Sequence, residues 1–346
     1  MPQASGKICI IRLSSLGDLV LMVPMLRALR SSFPSKEIHL VCKEKYAGLF
    51  DGGGLVDSFI PVRRGDLREI VDLRSALSRT GYETIIDAHG VIRSGLLFHA
   101  LRAPRKLRIR KDELQKAALI VGKLNLYRRV TSQTERYAEL ARRLGAEMRG
   151  PDAELPVPPS AERSAAAALA RAGLSGKPLI AFAPGARWPT KRWPADRFAR
   201  LIFEASALGF EPLLIGGAED AAANAEVAEL SRSAPRNLTG ALSVIESAAV
   251  LKRCRALVTN DSAPLHLAEA VGTPVIAFFG PTVREFGYFP RLPASRALET
   301  ALPCRPCSRN GKRACPYGTK ECLTSIEPST ALEALIQALG KTRDLS

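Results

Sequence analysis

The sequence predicts an α/β protein made of two Rossmann-like domains whose parallel sheets face a central cleft. Strand-like apolar runs alternate with helical patterns along the 346 residues, as in parallel sheets covered by helices. Two of these runs end in turns of small residues, at 12–18 and at 260–266. A helix that starts at such a turn points free backbone N–H groups at an anion. Because one turn lies in each half of the chain, we expect two domains of ordinary size.

The elements of the first half follow from short apolar runs. These runs predict strands over 7–11, 38–42 and 84–87. An amphipathic pattern over about 19–31 predicts a helix after the first strand. Pro24 lies inside this pattern, so we expect the helix to start late or to kink.

A proline-rich connector at 155–159 marks the boundary between the two domains. Beyond it, strands are predicted over 179–183, 212–215, 256–259 and 274–279, and helices over 160–173, 195–208, 219–232 and about 262–271. The domains are then 1–158 and 159–325, and 326–346 forms a C-terminal helix that could pack back on the N-terminal domain.

The composition is that of a soluble globular protein, with 46% hydrophobic and 24% charged residues. No apolar stretch approaches the roughly 20 residues needed to cross a bilayer. The N-terminus runs directly into the first strand without a signal-peptide pattern, so we expect a cytoplasmic protein.

The net charge of +16 is concentrated in the first half. Residues 1–150 hold 27 Lys/Arg and 15 Asp/Glu, whereas 151–346 hold 23 and 19, and the densest basic stretch is 102–111. Such a surface attracts nucleic acid, anionic lipid or a phosphorylated substrate, or it is a solvated face without a partner. Aromatic residues make up only 6% and no RNA-recognition signature occurs, which disfavours nucleic acid.

The first turn offers one carboxylate. Asp18 follows Gly17 at the mouth of the first strand–helix unit, where a side chain lies in the cleft rather than in the core. Two roles are open for Asp18, a helix cap and a general base. Arg12, Ser14 and Ser15 could hold this carboxylate, bind substrate or close the turn.

The loop at 184–194 contains two Trp and three cations, more than a structural loop needs. Lys191 is a candidate counter-charge for a leaving diphosphate, with Arg187 or Arg192 assisting. Trp193 is predicted to anchor the following helix by packing.

Later turns supply the remaining candidates. Glu219 could accept hydrogen bonds from sugar hydroxyls, or be a first-turn acid favoured by the helix dipole. We expect Asp261 to cap its helix because a carboxylate repels a diphosphate, while backbone N–H groups of Ser262 and Ala263 bind the anion. His266, one helical turn further on, could lie near the site or simply pack, and Thr282 follows another small turn that opens into the cleft.

Together these segments resemble the ADP-heptose:lipopolysaccharide heptosyltransferase family (glycosyltransferase family 9). The similar segments, in order, are IIRLSSLGD at 10–18, PGA at 184–186 with KRWP at 191–194, GGAE at 216–219, TNDSAPLHLA at 259–268, and GTP at 272–274 through FGPT at 279–282. They span nearly the whole chain, and their combination is more specific than any one motif. The chain departs from the family at Ala186 and Arg187, where some members have hydroxyl residues, and at Ala263, where Gly is usual.

The resemblance implies the GT-B fold and an inverting, metal-independent transfer of a heptose or related sugar. The donor would be an ADP-sugar such as ADP-heptose, bound by 159–325. The acceptor would be a phosphorylated, lipid-linked sugar of the lipopolysaccharide core, bound by 1–158. The protein would then work in the cytoplasm, peripheral to the inner membrane, with no required cofactor and no nucleic acid.

The resemblance also implies residue roles. Asp18 would be the base that activates the acceptor, and Lys191 would neutralise the diphosphate. Glu219 would hold hydroxyls of the donor, and Leu242 would line the adenine pocket. With the residues that the turns themselves suggest, the full set of predicted substrate-binding residues is Arg12, Ser14, Ser15, Gly17, Ala186, Arg187, Glu219, Leu242, Asp261, Ser262, Ala263, His266 and Thr282.

Four cysteines in the loop 304–322 form the pattern C-x2-C-x7-C-x6-C. They are Cys304, Cys307, Cys315 and Cys322. Four soft ligands could hold a structural zinc ion or an iron–sulfur cluster, and the alternative is free or redox-paired thiols.

Two other functions are also considered. One is a nucleotide-sugar epimerase on the same two-domain scaffold. The other is a basic, zinc-stabilised nucleic-acid-binding protein, which would explain the charge and the cysteines but not the ordered segments.

Overall fold

The computed structural model of the chain describes residues 6–148 and 155–340. These residues form two compact α/β units. The first unit contains 6–112, 132–148 and 155–158, and the second contains 113–131 and 159–340.

Eleven strands and thirteen helices are found within the described residues. The strands are β1 (Lys7–Ile11), β2 (Glu37–Lys43), β3 (Ser58–Val62), β4 (Thr84–Asp87), β5 (Arg105–Arg108), β6 (Leu179–Ala183), β7 (Glu211–Leu214), β8 (Arg236–Asn237), β9 (Cys254–Asn260), β10 (Val275–Phe279) and β11 (Arg296–Glu299). The helices are α1 (Leu16–Leu21), α2 (Val23–Ser32), α3 (Leu67–Leu77), α4 (Ile92–Ala100), α5 (Glu113–Val121), α6 (Gln133–Arg142), α7 (Pro159–Arg171), α8 (Ala195–Ala207), α9 (Ala221–Leu230), α10 (Val244–Leu251), α11 (Ala263–Glu269), α12 (Glu321–Thr324) and α13 (Pro328–Ala338).

Each unit is built on one parallel sheet. The strand order is β3-β2-β1-β4-β5 in the first unit and β11-β10-β9-β6-β7-β8 in the second. All neighbouring strands run parallel. The central strands are apolar and buried on both faces, because helices cover both sides of such a sheet. The two-domain α/β architecture predicted from the alternating pattern is confirmed.

The second half follows its predicted elements closely. Strands β6, β7, β9 and β10 lie within two residues of their predicted bounds. The predicted helix 219–232 begins as a tight turn at Ala218–Asp220 and continues as α9. The predicted helix 262–271 is the shorter α11.

The first half differs more from its prediction. The helix expected over 19–31 is two helices, α1 and α2, which break at Met22 because Pro24 fits only the start of a new helix. The edge strands β3 and β5 and the helices α3, α4, α5 and α6 were not predicted. The edge strands are only partly buried, so they carry little of the apolar signal on which the prediction depends.

The segment 113–131 belongs to the second unit, although the sequence assigned it to the first. Lys123 Nζ donates to the backbone oxygens of Cys304 (2.9 Å) and Pro306 (2.7 Å). Asn125 Nδ2 donates to Glu285 Oε1 at 2.9 Å. These polar contacts attach the segment to the second unit.

The C-terminal helix α13 packs in the second unit. Its apolar face is buried in the second unit's core, with Ala331 and Leu335 fully buried in the same cluster as Trp193 and Phe198. Residues 341–346 of the predicted helix lie outside the described residues. Within the described parts of the chain, none of the helices has the combined length and apolarity needed to span a bilayer.

Candidate active site

Asp18 lies in the first turn of α1, where the chain leaves the carboxyl end of β1. Its side chain is 10% exposed, and its Oδ2 lies 2.5 Å from Arg12 Nη2. Ser15 Oγ donates to Oδ2 at 2.8 Å, and Tyr137 Oη donates to Oδ1 at 3.2 Å. Arg12 is itself held by the backbone oxygen of Ala88 at 2.8 Å. The carboxylate is therefore held by two groups of the turn that precedes α1 and by a third group from α6.

The cap of α1 is Ser15, and Asp18 is the third residue of the helix. The Ser15 backbone N–H donates to Asp18 Oδ2 at 3.4 Å, which is the reciprocal contact of a capping box. The structural role considered for Asp18 is thus real, although in a different position from the predicted cap. The adjacent guanidinium of Arg12 favours the charged carboxylate, and this is the form that a general base needs.

The other predicted residues of this turn lie beside Asp18. Gly17 is buried, Ser14 is half-buried and Ser15 is exposed. Arg12 is buried and its guanidinium lies 5.7 Å from the centre of the Tyr137 ring. The turn 12–18 therefore brings its predicted residues together around one carboxylate.

Sequence reasoning missed two residues of this site. Tyr137 on α6 is completely buried, and burial above all raises the pKa of its hydroxyl, which therefore stays a proton donor. His89 follows β4, and burial followed by the charge of Arg12 lowers the pKa of its imidazole to about 3. The position of His89 was detectable, because β4 pairs with β1 and its carboxyl end lies at the same edge of the sheet. Tyr137 lies 119 residues from Asp18 and gave no such signal.

In the second unit, Lys191, Asp261 and Thr282 form a buried polar cluster. Lys191 Nζ lies 2.6 Å from Asp261 Oδ2, and their side chains are 14% and 8% exposed. Thr282 Oγ1 donates to the same oxygen at 2.6 Å. The prediction that Asp261 caps its helix is wrong, because Ser262 is the N-cap of α11 and the Asp261 carboxylate turns to the ammonium of Lys191 instead.

The loop that carries Lys191 is fastened to the end of β9 by Asn260. The completely buried Asn260 accepts from Trp193 N at 2.9 Å through Oδ1, and its Nδ2 donates to the backbone oxygen of Pro184 at 2.6 Å. Trp193 stacks on Phe278 with ring centres 4.1 Å apart, which confirms that it is a packing anchor.

The remaining predicted residues of the second unit follow the carboxyl ends of its strands, which meet at one edge of a parallel sheet. After β6, Ala186 is buried and its backbone oxygen accepts a hydrogen bond from Arg192 Nε at 2.9 Å. Arg187 is exposed to solvent, and its guanidinium lies over the Trp188 ring. After β9, Ser262 and Ala263 are half-buried at the start of α11. His266, one turn further, is buried with its ring 6.0 Å from that of Tyr288.

Glu219 and Leu242 lie on two adjoining loops. Glu219 is exposed in the turn after β7, and Leu242 is half-buried just before α10. The next residue, Asp220, was not predicted. Its Oδ2 accepts from Gly217 N at 3.1 Å, and burial raises the pKa of its carboxyl. A carboxylate in a half-buried turn is a stronger candidate for a sugar hydroxyl than the solvated Glu219, because it loses less on desolvation.

The four loop cysteines are free thiols, and among residues 6–148 and 155–340 no three His, Cys, Asp or Glu side chains are arranged to hold a metal ion. The zinc or iron–sulfur site considered from the sequence is therefore not confirmed. Cys322 is buried in the core of the second unit, where burial raises the pKa of its thiol to about 11. Burial also opposes ionisation of Cys315, but backbone N–H groups of residues 317–320 outweigh it and lower the pKa of that thiol.

A family model described as glycosyltransferase family 9 (heptosyltransferase) matches residues 70–319. The chain is 34% identical over 178 residues to lipooligosaccharide heptosyltransferase 2 of Haemophilus influenzae, and this match covers 49% of each protein. The chain thus spans about half the length of that relative. It is also 26% identical to lipopolysaccharide heptosyltransferase 1 of Pseudomonas aeruginosa, over 96% of this chain and 98% of that protein.

Solved structures share the fold. The glycosyl transferase family 9 protein of Veillonella parvula superposes with a TM-score of 0.82 at 24% identity, covering 99% of both chains. The ADP-heptose lipopolysaccharide heptosyltransferase II of Escherichia coli superposes with a TM-score of 0.73 at 24% identity, covering 96% of this chain and 98% of that one. Both likenesses support the predicted GT-B architecture. Since the family model covers well over half of the sequence, the chain belongs to glycosyltransferase family 9, the heptosyltransferase family.

Proposed function

We propose that this protein transfers a heptose or a related sugar from an ADP-sugar to a lipid-linked acceptor of the lipopolysaccharide core. Its family membership and its similarity to heptosyltransferases 1 and 2 support the reaction class. The single observation that carries the proposal is the carboxylate of Asp18, held at the end of β1 by Arg12, Ser15 and Tyr137.

The proposed reaction is one inverting displacement. A hydroxyl of the acceptor gives its proton to Asp18 while its oxygen forms a bond to C1 of the donor sugar. The bond between C1 and the phosphate oxygen breaks, and ADP leaves with the electron pair. Negative charge grows on the diphosphate in the transition state, so a fixed cation such as Lys191 stabilises that state more than the bound donor.

Lys191 can serve the diphosphate although it pairs with Asp261. An ammonium has three N–H donors, and Asp261 Oδ2 accepts only one of them. Asp261, which accepts a hydrogen bond from Thr282, would thus orient Lys191. The other N–H donors of the lysine and the backbone N–H groups at 262–263 would face the phosphates.

The remaining assignments concern the binding of the donor sugar, the adenine and the acceptor. Glu219 and its neighbour Asp220 are proposed to bind sugar hydroxyls, and Leu242 to contact the adenine. The basic residues of 1–158 would bind the phosphorylated acceptor at the cytoplasmic face of the inner membrane. No resident metal or cofactor takes part in the proposed reaction.

The test is Asp18→Asn, which keeps the shape of the side chain and removes its negative charge. We expect turnover with ADP-heptose to fall by roughly 10²–10⁴-fold, while ADP affinity measured by calorimetry stays within about twofold. Asp66→Asn is the matched control, because Asp66 caps α3 by accepting from Glu69 N and lies outside the proposed site. Near-normal turnover of Asp18→Asn would show that Asp18 is only a capping residue.

A further inference from the structure

The segment 113–131 exposes an unusual share of large apolar side chains. Within the described residues, thirteen large hydrophobic side chains are exposed, and five of them lie in these nineteen positions. They are Leu114, Val121, Leu124, Leu126 and Val130. Single exposed apolar residues need no explanation, whereas a cluster marks an interaction surface.

This exposure is a property of an anchored segment. Lys123 and Asn125 bind the segment to the second unit through three hydrogen bonds, and Leu119 is buried. Leu114 and Val121, which are 83% and 85% exposed, lie seven residues apart on one face of α5. The contacts that hold the segment leave this apolar face to the solvent.

Positive charge accompanies the apolar side chains. The segment carries four Lys/Arg and one acidic residue, Glu113. Arg128 and Arg129 are exposed directly beside Val130. A second copy of the chain would bring like charges together on the same patch, which disfavours self-association. Apolar side chains bordered by cations fit the interface of a bilayer that contains anionic lipid.

We propose that residues 113–131 dock the protein on a membrane surface, with Leu114, Val121 and Leu124 inserted among the acyl chains and Arg128 and Arg129 against anionic headgroups. The biological use of this docking rests on the proposed function, because a lipid-linked acceptor lies at a membrane surface. Binding to lipid is a property of the segment itself and is measurable without substrate.

The test is co-sedimentation of the full chain with vesicles of phosphatidylethanolamine and phosphatidylglycerol, and with vesicles of phosphatidylcholine. We expect tighter binding to the anionic vesicles. The variant Val121→Ser/Leu124→Ser should bind at least about tenfold more weakly to the anionic vesicles, because it loses two inserted side chains. Arg128→Gln/Arg129→Gln should lose roughly fivefold per charge on anionic vesicles only.

The matched control is Leu208→Ser/Leu230→Ser, which removes two exposed leucines from elsewhere in the second unit and should bind like the unchanged protein. Equal binding by the Val121→Ser/Leu124→Ser variant, or no binding of the unchanged chain to anionic vesicles, would overturn the inference. A change of oligomeric state in that variant, seen by sedimentation velocity, would assign the surface to self-association and overturn it too.

A second readout separates this inference from the proposed function. With a delipidated, soluble acceptor, the Val121→Ser/Leu124→Ser variant should keep the turnover of the unchanged protein. If the unchanged protein binds anionic vesicles but transfers no sugar to either acceptor, the proposed function fails and the membrane surface stands.

Discussion

Replacing Lys191 by Met separates the structural role of this lysine from its proposed chemical role. The side chains of Lys191 and Asp261 are 14% and 8% exposed, and their charged atoms lie 2.6 Å apart. Removal of the lysine leaves a buried carboxylate with Thr282 as its remaining hydrogen-bond donor among the contacts described above. Breaking one side of such a pair costs about 3–5 kcal/mol, a large share of a typical stability of roughly 5–15 kcal/mol.

The double variant Lys191→Met/Asp261→Asn removes the carboxylate charge as well. We expect it to recover most of the lost stability, because no uncompensated charge remains buried. Turnover should not recover. Both variants lack the cation that we propose faces the leaving diphosphate, and loss of one such group lowers turnover roughly 10²–10³-fold.

Urea unfolding followed by tryptophan fluorescence measures the first effect, since the protein's two tryptophans, Trp188 and Trp193, lie in the same loop as Lys191. Release of ADP from the donor in the presence of acceptor measures the second. A single variant as stable as the unchanged protein would refute the buried ion pair. Recovered turnover in the double variant would show that Lys191 serves only to neutralise Asp261.

Three further predictions concern groups around the two sites. Asn260→Ala leaves two backbone partners in the loop of Lys191 unpaired, so it should lower the free energy of unfolding by roughly 2–6 kcal/mol and weaken ADP binding. The control Thr273→Val loses one buried hydrogen bond to a backbone oxygen far along the chain from that loop. It should lower the free energy of unfolding by about 1–3 kcal/mol without changing ADP affinity. His89 is neutral in the fold because its pKa is lowered to about 3, whereas in the unfolded chain the imidazole takes up a proton near pH 6.5. The free energy of unfolding should therefore fall as the pH drops from about 6.5 towards 3, by up to ~1.4 kcal/mol per pH unit more steeply than in the variant His89→Gln. Unfolding followed by far-ultraviolet circular dichroism at several pH values measures this difference. Arg305 donates to Glu299 and to three backbone oxygens, including that of Thr282 at 2.9 Å. Arg305→Met should lower the free energy of unfolding by several kcal/mol and reduce turnover, because Thr282 also donates to the carboxylate that pairs with Lys191. A fully active variant would show that Arg305 does not position Thr282 for the reaction.

Much of the fold could be read from local patterns. The runs at 179–183 and 274–279 are apolar at every position because strands of a parallel sheet are buried on both faces, and this signal survives without any knowledge of neighbours. The edge strands β3 and β5 escaped prediction for the opposite reason, since they are partly solvated and mixed in composition. A break near Pro24 was foreseeable from the missing N–H of proline alone.

The sequence by itself determined that the chain alternates strands and helices, and that Asp18 and Lys191 follow strand ends, because burial and chain direction leave a periodic trace in neighbouring residues. Only the tertiary structure decided which groups meet. Tyr137 reaches Asp18 across 119 residues, Asp261 binds Lys191 instead of capping its helix, and both 113–131 and α13 join the second unit. Ion pairs and hydrogen bonds act only over a few ångströms, so packing selects their partners, and no local pattern in the chain encodes that choice.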